Sequence, residues 1–173
     1  FEASQPYKKF DKQIIFRLNG VSQSHEGISI KEKMIPLVKR EPELIHGIRN
    51  IVHNALKFSK SNVDINLITN SKKINLEITD DGEGFPNDIT NMIGEPFLKK
   101  SNFYLMEVKN RTSEEGMGLG LFIANILLEK TNGSLKFSNM KQIESDGKKR
   151  ITGAKVEISW ERSSIEVLQW DKK

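Results

Sequence analysis

Asn50-Ile51-Val52-His53-Asn54-Ala55-Leu56-Lys57-Phe58 is the stretch from which the fold is read. It is read together with two glycine boxes downstream, Asp80-Asp81-Gly82-Glu83-Gly84-Phe85 and Gly116-Met117-Gly118-Leu119-Gly120-Leu121. At about 100° per residue, Ile48, Ile51, Val52, Ala55 and Leu56 fall on one face of a helix. Asn50, Asn54 and Lys57 line up on another, one turn apart. Such a helix packs one face and offers two amides and an ammonium along the other, an arrangement suited to an anion. Taken alone, it is equally well explained by a solvated polar face.

The chain has 173 residues, 36% hydrophobic and 29% charged, which fits one soluble globular domain with its own core. No apolar run approaches the roughly 20 residues that span a bilayer. No basic-then-apolar leader opens the chain. It begins Phe1-Glu2-Ala3 rather than with Met, so a piece of something longer is expected. The absence of cysteine removes disulfide scaffolds and thiolate metal sites, and fits a cytoplasmic setting. The net charge of +4 comes from Lys and Arg dispersed among Asp and Glu, with only short clusters such as Lys148-Lys149-Arg150. That pattern describes a solvated surface and argues against a nucleic-acid partner.

Residues 1–11 read as a linker and 12–18 as a first strand. Residues 19–27 are turn-rich, and 28–30 suggest a short edge strand. Glu41-Pro42-Glu43 opens the central helix, with proline and acidic residues suited to its positive end. Ser59-Lys60-Ser61-Asn62 closes it. Val63, Ile65 and Leu67 alternate with Asp64 and Asn66. After a turn at Asn70-Ser71, Ile74, Leu76 and Ile78 alternate again, which predicts a β-hairpin with one buried face. The period of two carries that face to Asp80. An unpaired carboxylate there is costly, and no Lys or Arg adjoins it in sequence. Gly82 and Gly84, directly after it, suggest a ligand wall.

Residues 86–93 suggest a short helix. Glu95-Pro96-Phe97 then opens a polar stretch to Glu115 without periodicity, a length typical of lids. The Gly116–Gly120 run begins a helix expected to reach about Thr131, with Ile123, Ile126, Leu127 and Leu128 in the core. Glycines there bare the helix N–H groups and the positive dipole end to a phosphate. A Rossmann motif needs a strand directly before such a run, and a phosphate-binding P-loop needs Gly-Lys-Ser/Thr. Neither is present. Asn132-Gly133 ends the helix. Residues 134–139 form a strand, 140–150 a charged loop, 153–160 a last strand and 161–173 a tail.

Taken in order, these segments resemble the GHKL ATPase superfamily, and within it the ATP-binding catalytic domain of bacterial sensor histidine kinases. The resemblance covers residues 12–160. It is carried by an Asn-box (Asn50, Asn54, Ala55, Lys57, Phe58), a first glycine box (Asp80, Gly82, Gly84), a Phe-box (Glu95, Pro96, Phe97) and a second glycine box (Gly116, Gly118, Leu119, Gly120, Leu121). Residues 40–50 and 114–129 further resemble redox-responsive sensor kinases of the RegB/PrrB type. That type's redox-active cysteine and membrane sensor have no counterpart here. His25-Glu26 lacks the basic residue and proline that follow a phosphoacceptor histidine, and reads as a loop residue. His46 and His53 read as solvent-facing.

The resemblance implies a two-layer α/β sandwich, a mixed sheet with helices on one face and ATP between helices and lid. It implies that Asn54 holds Mg²⁺ and that Asn50 and Lys57 contact the phosphates as the catalytic residues. Phe58 would pack near the ribose, Asp80 would take the adenine amino group, and Gly82 and Gly84 would admit the base. Phe97 would fasten the lid, and Gly116, Gly118, Leu119 and Gly120 would cradle the phosphates. Glu115 and Met117 depart from the usual glycine and small residue. Gyrase, mismatch-repair and chaperone relatives resemble one another in placing Glu four residues before the metal Asn, as base for water. Here that position is Asn50, and an amide cannot take a proton at neutral pH. The expected function is therefore phosphoryl transfer to a histidine on a dimerisation domain, followed by a response regulator. A monomer is expected, from the cytoplasmic part of a membrane-anchored sensor. A serine protein kinase of the anti-sigma type, or a non-catalytic nucleotide-sensing module, remain alternatives.

Overall fold

The computed structural model describes residues 11–22, 35–86 and 119–167. The loop around His25, the suggested edge strand at 28–30, nearly all of the 86–93 segment, the Phe-box, the lid stretch, Gly116 and Gly118 lie outside the described residues.

The described elements are β1 (Gln13–Leu18), β2 (Val21–Ser22), α1 (Pro42–Phe58), β3 (Asn62–Thr69), β4 (Lys73–Asp80), α2 (Leu119–Lys130), β5 (Ser134–Ile143), β6 (Lys149–Glu161) and a single-turn α3 (Arg162–Ile165). The strands form one sheet in the order β2-β1-β3-β4-β6-β5. β1 runs parallel to β3, while the other pairs are antiparallel, so the sheet is mixed.

Alternation in the strands explains the layering. Val63, Ile65, Ile74, Ile78, Val156, Ile158 and Trp160 point to one face and are buried against Ile51, Val52 and Leu56 of α1 and Leu121, Ala124 and Leu128 of α2. The other face stays polar. There Lys155 bridges Glu77 (3.1 Å) and Glu157 (3.4 Å), two like charges placed opposite each other by the strand register. The two helices thus cover one face only, as a two-layer sandwich requires.

Local chemistry fixes α1 at both ends. Pro42 sits in its first turn, and Ile45 N–H reaches back to the Glu41 carbonyl. At the other end the Lys12 ammonium donates to the carbonyls of Leu56 (2.6 Å) and Ser59 (2.5 Å). It satisfies acceptors that a helix C-terminus leaves open, with the charge sign the dipole favours. Where α1 crosses α2, a Cβ on Gly47 would stand 2.6 Å from Leu128 Cγ, so the missing side chain sets the helix spacing.

Several expectations need correction. Residues 140–150 are not one loop: β5 continues to Ile143 and β6 starts at Lys149, leaving a short turn. Val21–Ser22 pairs with β1 inside the stretch read as turns. Ile123 is 38% exposed and not in the core, because α2 is apolar nearly all round and its buried stripe is Leu121, Ala124 and Leu128. The start of the expected tail is anchored: Ile165 is buried, and Val167 N–H donates to the Leu37 carbonyl. His46 and His53 are exposed, as expected.

Candidate functional site

The site lies between α1, the end of β4, the bulged part of β6 and the start of α2. The lining of this cleft includes Asn54, Ala55 and Phe58 from α1, Ile78 and Asp80 from β4, Gly84 and Phe85 from the first glycine box, Leu121 from α2, and Ala154 and Val156 from β6. The cleft holds about 450 Å³ of space, open solvent at its mouth included. The helix amide and the strand-end acid therefore open into one cavity.

Asp80 is 7% exposed. Its donors are backbone: Gly82 N–H at 2.9 Å and Ala154 N–H at 3.2 Å, both to Oδ1. Burial raises its pKa above the ordinary 3.8, and these two N–H groups and the Lys12 charge only partly oppose the rise, which neighbouring Asp81 reinforces. This answers the missing-partner problem: the backbone of Gly82 supplies one donor and strand β6, through Ala154, the other. The approach of β6 depends on Gly153, at φ 153°, where a Cβ would stand 1.8 Å from the Asp80 carbonyl oxygen. Opposite, the β5–β6 register shifts between Met140 and Lys141, a bulge that re-aims the strand at the cleft. A Cβ on Gly82 would stand 2.3 Å from the Phe58 carbonyl oxygen, so the glycine box lies directly on the last turn of α1.

Asp81 works on the outside of the same corner. It accepts from the backbone of Lys60 (2.8 Å) and Ser61 (3.0 Å), and from the Asn62 amide (3.3 Å). Burial pulls its pKa up, but the donors from Ser61, Asn62 and Lys60 prevail and hold it below the ordinary value.

At the other end the Asn54 Nδ2 is buried without a hydrogen-bond partner among the described residues. Gly120, in the first turn of α2, faces it: a Cβ there would stand 3.1 Å from Nδ2. The helix N-terminus and the Asn54 carboxamide are thus neighbours. Lys57 is exposed, with its Nζ 5.0 Å from the centre of the Phe58 ring that lines the cleft. Asn50 lies one turn before Asn54 and is not among the lining residues. Leu119 opens α2.

The structure therefore brings together Asn54, Phe58, Asp80, Gly82, Gly84 and Gly120, with Lys57 beside them. Sequence reasoning missed Ala154, Gly153, Phe85 and Asn139. Phe85 could have been found as the apolar residue ending the glycine box. A backbone donor such as Ala154 carries no mark in sequence.

A model of the family described as histidine kinase-, DNA gyrase B- and HSP90-like ATPase matches residues 39–163. The sensor histidine kinase RegB of Cereibacter sphaeroides is 35% identical over 170 residues, covering 97% of this chain and 35% of that protein. The histidine kinase ArlS of Staphylococcus haemolyticus is 28% identical over 129 residues, covering 71% of this chain and 27% of its own. The chain thus spans only a minor part of these relatives. Among solved structures, the mycobacterial sensor histidine kinase MprB superposes with a TM-score of 0.58 at 19% identity, over 92% of this chain and 89% of that one. Full-length ShkA in complex with AMPPNP gives 0.61 at 15% identity, over 98% and 30%. At those identities the likeness is one of fold.

Proposed function

This chain belongs to the histidine kinase-, DNA gyrase B- and HSP90-like ATPase family, and on that footing we propose that it is the ATP-binding catalytic domain of a two-component sensor histidine kinase. It passes the γ-phosphate of ATP to a histidine on a dimerisation domain, from which a response regulator is served. The similarity to RegB favours this over a serine protein kinase of the anti-sigma type. A cytoplasmic location follows from the reaction, since ATP is the phosphate donor.

The observation that carries the reading is the single cleft shared by Asp80 and Asn54. Asp80 accepts the adenine amino group, with Oδ1 already fixed by two N–H donors. Phe58 and the Gly82–Gly84 wall bound the base and ribose. The triphosphate runs toward Asn54 and the N-terminus of α2, which lie side by side and whose dipole favours an anion. Lys57 adds a charge from the rim of the cleft, and Asn50 an amide one turn away.

The residues present fit a magnesium ion. Among the described residues no group of three or more His, Cys, Asp or Glu could hold a metal. Mg²⁺ suits such a site because it keeps several waters and takes phosphate oxygens. Asn54 would hold it through its carboxamide oxygen, leaving Nδ2, which has no hydrogen-bond partner among the described residues, to donate to a phosphate oxygen. When bound, the ion offsets phosphate charge. Asn50 cannot act as a base toward water, so hydrolysis is suppressed and positioning does the catalytic work.

The test is phosphoryl transfer in trans. The chain binds Mg-ATP in calorimetry, turns it over very slowly alone, and labels an added dimerisation domain that carries the acceptor histidine. Robust hydrolysis by the chain alone, indifferent to replacing Asn50, would overturn the reading.

A further inference from the structure

Asn139, on β5, is one of the residues no motif picks out. Its side-chain amide makes two hydrogen bonds to a single residue: Oδ1 accepts from Phe85 N–H at 2.7 Å, and Nδ2 donates to the Phe85 carbonyl at 2.9 Å. One donor and one acceptor meeting one residue's N–H and C=O is the pattern of a hydrogen-bonded pair in an antiparallel ladder. The side chain presents to Phe85 the donor and acceptor that a strand's backbone would. Phe85 and Gly84 both line the cleft. The Phe85 ring is itself held edge-on by buried Phe137, centroids 5.8 Å apart at 90°. A Cβ on Gly84 would stand 2.7 Å from Asn139 Oδ1, so wall and amide are in close contact.

Asn139 also connects the wall to the acid. In the β5–β6 ladder it pairs with Ala154, whose N–H donates to Asp80 Oδ1. One pair of adjacent positions thus fixes both boundaries of the inner end of the cleft. Asp80 is held through Ala154, and Phe85 through Asn139. The bulge begins immediately afterwards, between Met140 and Lys141.

We propose that Asn139 is a positioning residue for the purine: its amide sets the distance between the Phe85 wall and Asp80, and so the width of the slot that takes the base. The inference rests on the nucleotide reading above. It differs from the motif residues in acting through Phe85 and not by touching the ligand.

The experiment is a double-mutant cycle on ATP affinity, measured by calorimetry far below the melting temperature, with Asn139→Ala, Asp80→Ala and the pair. Asn139→Ala is expected to weaken ATP about three- to tenfold, as two lost neutral hydrogen bonds allow. Asn139→Asp keeps the acceptor for Phe85 N–H but loses the donor, and should also weaken ATP binding. In the Asp80→Ala background the effect of Asn139→Ala should largely vanish, because the slot no longer has its second wall. A merely structural Asn139 would lower the melting temperature and leave the affinity of the folded protein unchanged. Unchanged affinity, or fully additive losses, overturns the proposal while leaving the nucleotide reading intact. A wild-type protein that does not bind ATP sinks both.

Discussion

The two ends of the cleft are built on opposite principles. At the sheet end, each polar group described has been given a partner: Asp80 by Gly82 and Ala154, Phe85 by Asn139, Asp81 by the α1–β3 turn. At the helix end the Asn54 amide carries a buried nitrogen with no hydrogen-bond partner among the described residues. The groups of the first end are held in place by the protein's own donors and acceptors, so they are pre-organised and their displacement costs stability. At the second, Asn54 Nδ2 is a donor that no described residue engages, open to an anionic acceptor. Rigid recognition and electrostatic capture are thereby separated along one cavity.

The largest expected effect breaks the sheet end outright. Gly153→Val places carbon atoms within the Asp80 carbonyl contact, at a φ that L side chains avoid. A loss of about 3 kcal/mol or more is expected, which lowers the Tm by about 6 °C or more for a chain of this size. A melting curve that matches the wild type would remove the close β4–β6 approach from the account.

The next effect sharpens the contrast by ligand affinity. Asp80→Ala should weaken Mg-ATP on the order of ten- to a hundredfold, as expected for a hydrogen bond to a charged group. Asn54→Ala should weaken it too, and by more with Mg²⁺ present than in EDTA. It should also leave the Tm equal or higher, since Ala is the better helix former and an orphaned amide is removed. Equal losses with and without the ion would take the metal role from Asn54.

The smallest effect is a pH signature. Asp80 has a raised pKa in the folded state because it is buried. Well below its ordinary value of 3.8 both states are protonated and it contributes no pH dependence. As pH rises past that point the unfolded chain ionises first, so stability falls until the folded group has ionised as well. At neutral pH the ligand-free protein therefore carries a penalty. Asp80→Asn keeps the acceptor for Gly82 and Ala154 and removes the charge, so it should melt no lower than wild type at pH 7. Any advantage should close in acid. An Asp80→Asn protein less stable than wild type at pH 7 and equal to it in acid would reverse the sign.

Much of the helix end was legible because it is written in side chains at helical spacing: Ile51, Val52, Ala55 and Leu56 inward, Asn54 lining the cleft. The hairpin was legible for the same reason, and its alternation delivered Asp80 to the inner face. The sheet end was not, because its partners are backbone groups brought from far along the chain. Ala154 reads only as a small strand residue, and Asn139 only as a polar one. The longer β5–β6 hairpin was missed because Lys141-Gln142-Ile143 and Lys149-Arg150-Ile151 are exposed or nearly so and show no inward period. Ile123 was misplaced because a helix apolar on most sides does not announce its buried stripe.

The Lys12 ammonium at the end of α1 has a practical consequence for where this domain is cut. The family profile starts at residue 39, yet β1 and its leading lysine lie well ahead of it. A recombinant piece trimmed to that match would strip a parallel strand from β3 and remove the ammonium that the carbonyls of Leu56 and Ser59 accept from. The folding unit is larger than the stretch the family model matches, and expression boundaries should respect the former.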